Sequence, residues 1–187
     1  QLHGSLNNFS TTDLMLDSDQ GIQIYGDFNF INAVNNELGF FLTADIKNIT
    51  ANHRQLNGIL PNLLGKALPT EFKRLETFTL SGITKLTEQH IEATWAIDSP
   101  IGEVLADMEV KGFHNIDEAE YKGEVEFRDF DIGTFFNDPL FGKMSFLGEV
   151  DGEGFRIDNI NTTLTGKIFE FDFRNYSYKD ITVDGKY

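Results

Sequence analysis

Four histidines, thirty acidic side chains and a scatter of serines are the groups in this sequence from which a reaction centre could be built. His3, His53, His90 and His114 stand far apart among polar neighbours, with no His-x-x-x-His or comparable ligand spacing, so they read as surface residues. Asp151, Glu153 and Asp158 faintly resemble a calcium loop, but the ligand spacing and the closing glutamate are wrong, and a solvated turn accounts for them. Ser81 precedes Gly82 with no base nearby, and neither a Gly-x-Ser-x-Gly elbow nor a Gly-x-Gly-x-x-Gly turn occurs. Asp107 with Glu109, and Glu124 with Glu126, fall on the polar side of strand-like segments, where charge keeps a protein soluble. The Asn-x-Ser/Thr triplets at Asn8, Asn48, Asn161 and Asn175 matter only in a host that glycosylates. The sequence therefore offers no catalytic residue, no metal set and no cofactor motif, and it argues for a protein that is not an enzyme.

The bulk properties agree with that reading. A net charge of −15 sets up a field that repels phosphate backbones and anionic membrane surfaces, which argues against nucleic-acid binding. Eighteen Phe, one Trp and no Cys supply apolar area without thiol chemistry, so disulfides and thiolate metal sites are excluded. No run approaches the roughly 18 apolar residues of a membrane-spanning helix, and the first residues lack the pattern of a signal peptide. Any anchor or export signal is expected outside this chain.

What must position any functional surface is a set of strands. Period-2 alternation puts Ile22, Ile24, Gly26, Phe28 and Phe30 on one face, followed by Leu42, Ala44 and Ile46, then Phe78, Leu80 and Gly82. The same pattern continues through Ile91, Ala93, Trp95 and Ile97, through Val104, Ala106, Met108, Val110 and Gly112, and through Gly123, Val125 and Phe127. Phe146, Gly148, Val150 and Gly152 follow, then Phe169, Phe171 and Phe173, and Ile181 with Val183 close the chain. Eight or more strands joined by short polar turns make one continuous unit over residues 1–187. Its last strand alternates almost to the final residue and reads as awaiting a neighbour, as in a fragment of a longer repeat protein. Leu56, Ile59, Leu60, Leu63, Leu64 and Leu68 predict a short helix weakened by Pro61 and Gly65; residues 131–142 predict a single turn or bent loop. Both are apolar enough to lie on the hydrophobic face. Glycines in phase with the apolar residues predict a sheet creased along its length, with scattered β-bulges in a sandwich as the other reading.

Three stretches carry a resemblance: Phe130–Phe155 with its Asp-Pro and Leu-Phe-Gly-Lys elements, Leu68–Gly82, and Asn175–Tyr187 with Tyr-Lys-x-Ile-x-Val-x-Gly. They resemble the repeats of the TamB-like translocation and assembly module family, of the AsmA-like superfamily, in its Bacteroidota form. The resemblance covers nearly the whole chain, although each motif alone is degenerate. It implies an all-β fold, an elongated U-shaped "β-taco" with an apolar interior groove and one or two short helices. It also implies a periplasmic place, in a protein anchored in the inner membrane by a segment absent here and meeting an Omp85-class outer-membrane barrel through other parts. The implied role is carriage of phospholipid or other acyl-chain lipid for outer-membrane assembly, with no cofactor.

On that reading the lipid contacts are Ile24, Phe28, Leu42, Ile46, Trp95, Val104, Met108, Val125, Phe127, Phe146, Phe169 and Phe171. Burying a methylene contributes about 0.8 kcal/mol, so a sixteen-carbon chain gains on the order of 12 kcal/mol on leaving water. Ten strands about 4.8 Å apart extend such a surface roughly 50 Å. The competing expectation is a closed β-sandwich adhesion or binding module, whose apolar face is filled by its own second sheet.

Overall fold

The computed structural model describes residues 1–18, 21–35, 38–59, 70–115, 117–155 and 160–186. Eleven strands make one antiparallel sheet whose spatial order is the order of the chain. They are β1 (Leu2–Gly4), β2 (Phe9–Asp17), β3 (Gln23–Ile31), β4 (Phe41–Asn52), β5 (Thr77–Thr87) and β6 (His90–Ser99). β7 (Gly102–Lys111), β8 (Glu120–Asp131), β9 (Phe141–Glu153), β10 (Asn161–Phe173) and β11 (Tyr176–Lys186) complete it. β1 and β11 are the two edges and do not pair, so the sheet is an open, elongated, taco-like meander. All described strands belong to it, in contrast to the two sheets a sandwich requires.

The hairpins follow local chemistry. Arg174 (φ 50°) and Asn175 (φ 61°) join β10 to β11 between the paired Phe173 and Tyr176, which is a type I′ turn with both central residues left-handed. Between β6 and β7, Pro100 sets the turn's first corner and the Ser99 hydroxyl donates to the Gly102 carbonyl at 2.9 Å.

Bulges shape the strands more than the period-2 pattern implies. Register shifts fall between Thr11 and Leu14, Ile46 and Ile49, Phe127 and Phe130, and Ile168 and Glu170. Each inserts a residue, so the apolar face resumes three residues on instead of two. Asp13 (φ 50°) and Asp129 (φ 49°) adopt the left-handed conformation at two of these sites. Their N–H groups donate to Asp27 Oδ1 at 2.6 Å and Ser145 Oγ at 3.1 Å, which satisfies donors the bulge removes from the ladder.

Three short helical pieces stand together at one end of the strands. α1 (His53–Ile59) begins three residues before the predicted helix, and its start is tied by reciprocal bonds: Asn52 N–H to Gln55 Oε1 at 2.7 Å, Gln55 N–H to Asn52 Oδ1 at 3.1 Å. The rest of the predicted helix, Leu60 to Leu68 with Pro61 and Gly65, lies outside the described residues. A 3₁₀ turn (Thr70–Leu75) leads into β5, and α2 (Ile132–Phe136) is the single turn expected after Asp131. Asp131 caps α2 by accepting from the Thr134 N–H at 2.8 Å, and Asn137 ends it at φ 58°.

Candidate functional site

The register fixes which side chains share the apolar face. One cross-strand row runs Gly26, Ile46, Gly82, Trp95, Ala106, Val125, Gly148, Gly166 and Val183. The next runs Phe28, Ala44, Thr84, Ala93, Met108, Gly123, Val150 and Leu164. Glycine and alanine hold eight of the seventeen places in these two rows, which lowers the face where they fall. Large residues gather toward the strand ends instead, in two separate clusters. At one end Val110, Phe113, Ala119 and Tyr121 are buried together, with Phe113 and Ala119 supplied by the β7–β8 connection. At the other, Leu75, Phe78 and Phe130 are buried with Leu56, Phe72, Ile132 and Phe135 of the helical pieces packed around them. Between the clusters Trp95, Ala106, Met108 and Val125 remain only half-buried.

The glycines of these rows do two jobs. Gly82 (φ 135°) and Gly123 (φ 155°) hold backbone geometry that L side chains rarely adopt, and a Cβ on either would strike a carbonyl of the neighbouring strand, of Thr94 and Asp107 respectively. Two others make room for a ring: a Cβ on Gly148 would lie 2.5 Å from Phe146 Cζ and one on Gly166 2.9 Å from Phe146 Cε2, so the ring occupies the space both leave. Gly112, expected on the face of β7, instead closes its hairpin at φ 64°.

Most of the expected lipid-contact residues come together on this face. Ile24 pairs with Leu16 and Ile49, Phe28 with Thr11 and Ala44, Leu42 with Phe30 and Leu86, and Ile46 with Gly26 and Gly82. Trp95 lies between Gly82 and Ala106, and its indole N–H donates to Thr84 Oγ1 at 2.8 Å. Val104 and Phe127 pair with each other, Met108 lies between Ala93 and Gly123, and Val125 between Ala106 and Gly148. Phe146 is 1% exposed and so is already covered by the chain itself, while Phe171 faces Met144 and Tyr178. Phe169 is the exception. The bulge after Ile168 turns it onto the outer surface, where it is 45% exposed and Lys167 Nζ stands 5.2 Å above its ring. Ile168 takes the inward place expected for it, opposite Phe146.

Strand β2 is what the sequence reading missed. Phe9, Leu14 and Leu16 continue the face beyond β3, and Phe9 stacks on Phe30 at 4.6 Å between ring centroids. The signal was present but broken, because the step from Thr11 to Leu14 crosses a bulge. Phe130, Met144 and Tyr178 were missed for the same reason or because they lie at strand ends.

The outer face is laced with exposed ion pairs. Lys47 bridges Asp13 at 2.9 Å and Asp27 at 3.1 Å, tying together three strands beside two bulges. The Lys47 ammonium holds the Asp13 carboxyl below its usual range, the Asp13 backbone N–H and then Lys47 lower that of Asp27, and the two carboxylates raise Lys47. Arg128 pairs with Glu126 at 2.6 Å and Glu103 at 3.1 Å, lowering the Glu126 carboxyl. Burial pushes the Tyr121 hydroxyl up.

The histidines are dispersed. His90 Nε2 is 3.1 Å from Glu109, His114 meets the Glu88 carbonyl, and His53 is buried at the start of α1 beside Asn57. Asp151 and Glu153 lie at the end of β9, and Asp158 lies outside the described residues. Among the described residues no three acidic or histidine side chains converge as metal ligands. No helix there is long and apolar enough to cross a membrane. Comparison with protein-family models, with curated proteins and with solved structures finds no match to this chain.

Proposed function

We propose that this chain is a segment of a TamB-like lipid conduit, shielding the acyl chains of phospholipid on its apolar face during transfer toward the outer membrane. The observation that carries the reading is the half-buried stretch of Trp95, Ala106, Met108 and Val125, lying in a sheet with two free edges between two sealed clusters. A methylene leaving water for such a surface contributes about 0.8 kcal/mol, so an acyl chain is held by contact alone. The work is then containment, not reaction. Charged residues on the outer face keep the trough soluble. The periplasmic setting, the inner-membrane anchor and the Omp85-class barrel partner belong to this proposal through the resemblance.

The test is direct. Delipidated protein carrying a photo-crosslinking amino acid at Val125, in that stretch, or at Phe169, on the outer surface, is mixed with phospholipid vesicles and irradiated. Adducts at Val125 and none at Phe169 are expected. Equal labelling at both, or none at either, overturns the proposal.

A further inference from the structure

The hairpin between β10 and β11 carries an aromatic group that belongs to neither sealed cluster. Phe141, Phe171 and Phe173 lie together on the apolar face with ring centroids 5.4–6.1 Å apart, and all three are partly exposed. Beside them Tyr176 and Tyr178 meet edge to face at 4.8 Å and are 64% and 41% exposed. At the turn itself the Arg174 guanidinium stands 5.2 Å from the centre of the Phe173 ring. Toward the turn the paired residues run Ile168 with Ile181, Phe171 with Tyr178, Phe173 with Tyr176, and then Arg174. The surface thus passes from hydrocarbon to phenol to cation, the order in which a phospholipid passes from tail through glycerol to phosphate. We propose that Arg174, with the Tyr176 and Tyr178 hydroxyls, receives the phosphodiester of a phospholipid whose acyl chain lies over Phe141, Phe171 and Phe173; the proposal rests on the conduit reading above.

Arg174 is out of place as a turn residue. It holds the first central position of the type I′ turn at φ 50°, where Asn, Asp or Gly is usual because other side chains are strained there. Strain of this kind persists where a side chain has a task. The turn itself uses only the backbone of Arg174, whose N–H donates to the Leu140 carbonyl at 2.8 Å, and any residue other than proline supplies that bond. In a chain of net charge −15 the guanidinium rests on a ring, with no carboxylate bonded to it among the described residues. On the outer face, by contrast, Lys47, Arg128, Lys167 and Lys179 each meet a carboxylate at 2.6–3.1 Å. A guanidinium offers a phosphodiester two parallel N–H donors, and phenol hydroxyls donate beside it. The acidic chain repels a free anion, so phosphate is held here only when its own hydrocarbon is seated.

The experiment compares two lipids with the same diazirine-bearing tail, a lysophosphatidylcholine and a monoacylglycerol, each used as a monomer and mapped by mass spectrometry. Wild type is expected to take label at Phe171 and Phe173 from the phosphate-bearing lipid at several-fold lower concentration than from the other. Arg174→Asn places a residue the turn prefers, so the urea midpoint should not fall, while labelling by the lysophosphatidylcholine should need about tenfold more lipid, the loss of one charge-assisted contact. Labelling by the monoacylglycerol should be unchanged, Arg174→Lys should keep most of the difference between the lipids, and millimolar inorganic phosphate should not compete. An equal effect of Arg174→Asn on both lipids, no effect on either, or competition by inorganic phosphate alone overturns the headgroup site and leaves the conduit standing. Absence of label from either lipid in every form, wild type included, overturns the conduit reading and the headgroup site with it.

Discussion

A carboxylate introduced at Val125 should cost far less stability than one at Ala119, although both residues lie in apolar surroundings. Val125 is partly exposed between Ala106 and Gly148, so Val125→Asp forfeits most of the 1.5–3 kcal/mol that full burial of a valine supplies, roughly 1–2 kcal/mol, while its carboxylate reaches water. Ala119 is 0% exposed among Val110, Phe113 and Tyr121, so Ala119→Asp buries a polar group with no designed partner and costs on the order of 2–7 kcal/mol. Urea titration measures both, with the single tryptophan as reporter: Trp95 sits in the same stretch with its indole N–H bonded to Thr84, so its emission follows the region in question. A second reading is acyl-chain uptake, which Val125→Asp should abolish at full fold. If Val125→Asp is as damaging as Ala119→Asp, that stretch is sealed by something, and both the openness of the face and the function built on it are wrong.

Gly82→Ala should lower stability by about 3 kcal/mol or more, through left-side backbone strain and collision with the Thr94 carbonyl, whereas Gly112→Asn, at φ 64° with open space around it, should change the melting temperature little. Thr11 Oγ1 is buried with no hydrogen-bond partner among the described residues, so Thr11→Val should hold or raise stability, by up to about 1 kcal/mol in a urea titration. Lys47→Met removes the largest influence that depresses the Asp13 carboxyl and the second on Asp27, which keeps the hydrogen bond from the Asp13 backbone N–H. Depressed carboxyls add stability that is fully present above the usual aspartate value of 3.8 and vanishes as pH falls through their folded values. The gap between wild type and Lys47→Met in a pH series of thermal melts should therefore be full at neutral pH and close in acid.

Alternation made the strands from β3 to β9 legible because each has a long stretch with one wet and one dry side. It failed where an extra residue was inserted, since a bulge moves the next apolar residue from i+2 to i+3 and the pattern then looks irregular. Phe169 shows the cost: counted by twos it belongs with Phe171, but the shift after Ile168 sends it outward and Ile168 inward. β2 was lost at the same kind of step, between Thr11 and Leu14. The glycines were visible as an in-phase set, and a crease was the inference drawn from them. That Phe146 occupies the space left by Gly148 and Gly166 depends on a pairing between β9 and β10 that no single strand discloses. The clusters at the strand ends were hidden for another reason, because Phe72, Phe113 and Ala119 sit in connections whose direction is set by the surfaces they land on.

A sheet in which each strand bonds only to the strands before and after it in the chain has a consequence for growth. Duplicating a hairpin lengthens such a molecule by about 10 Å without rerouting any connection, and deleting one shortens it without orphaning a distant partner. Stability then accrues by neighbouring couplings along one dimension, as in a solenoid. Length becomes a quantity that gene duplication adjusts in small even steps.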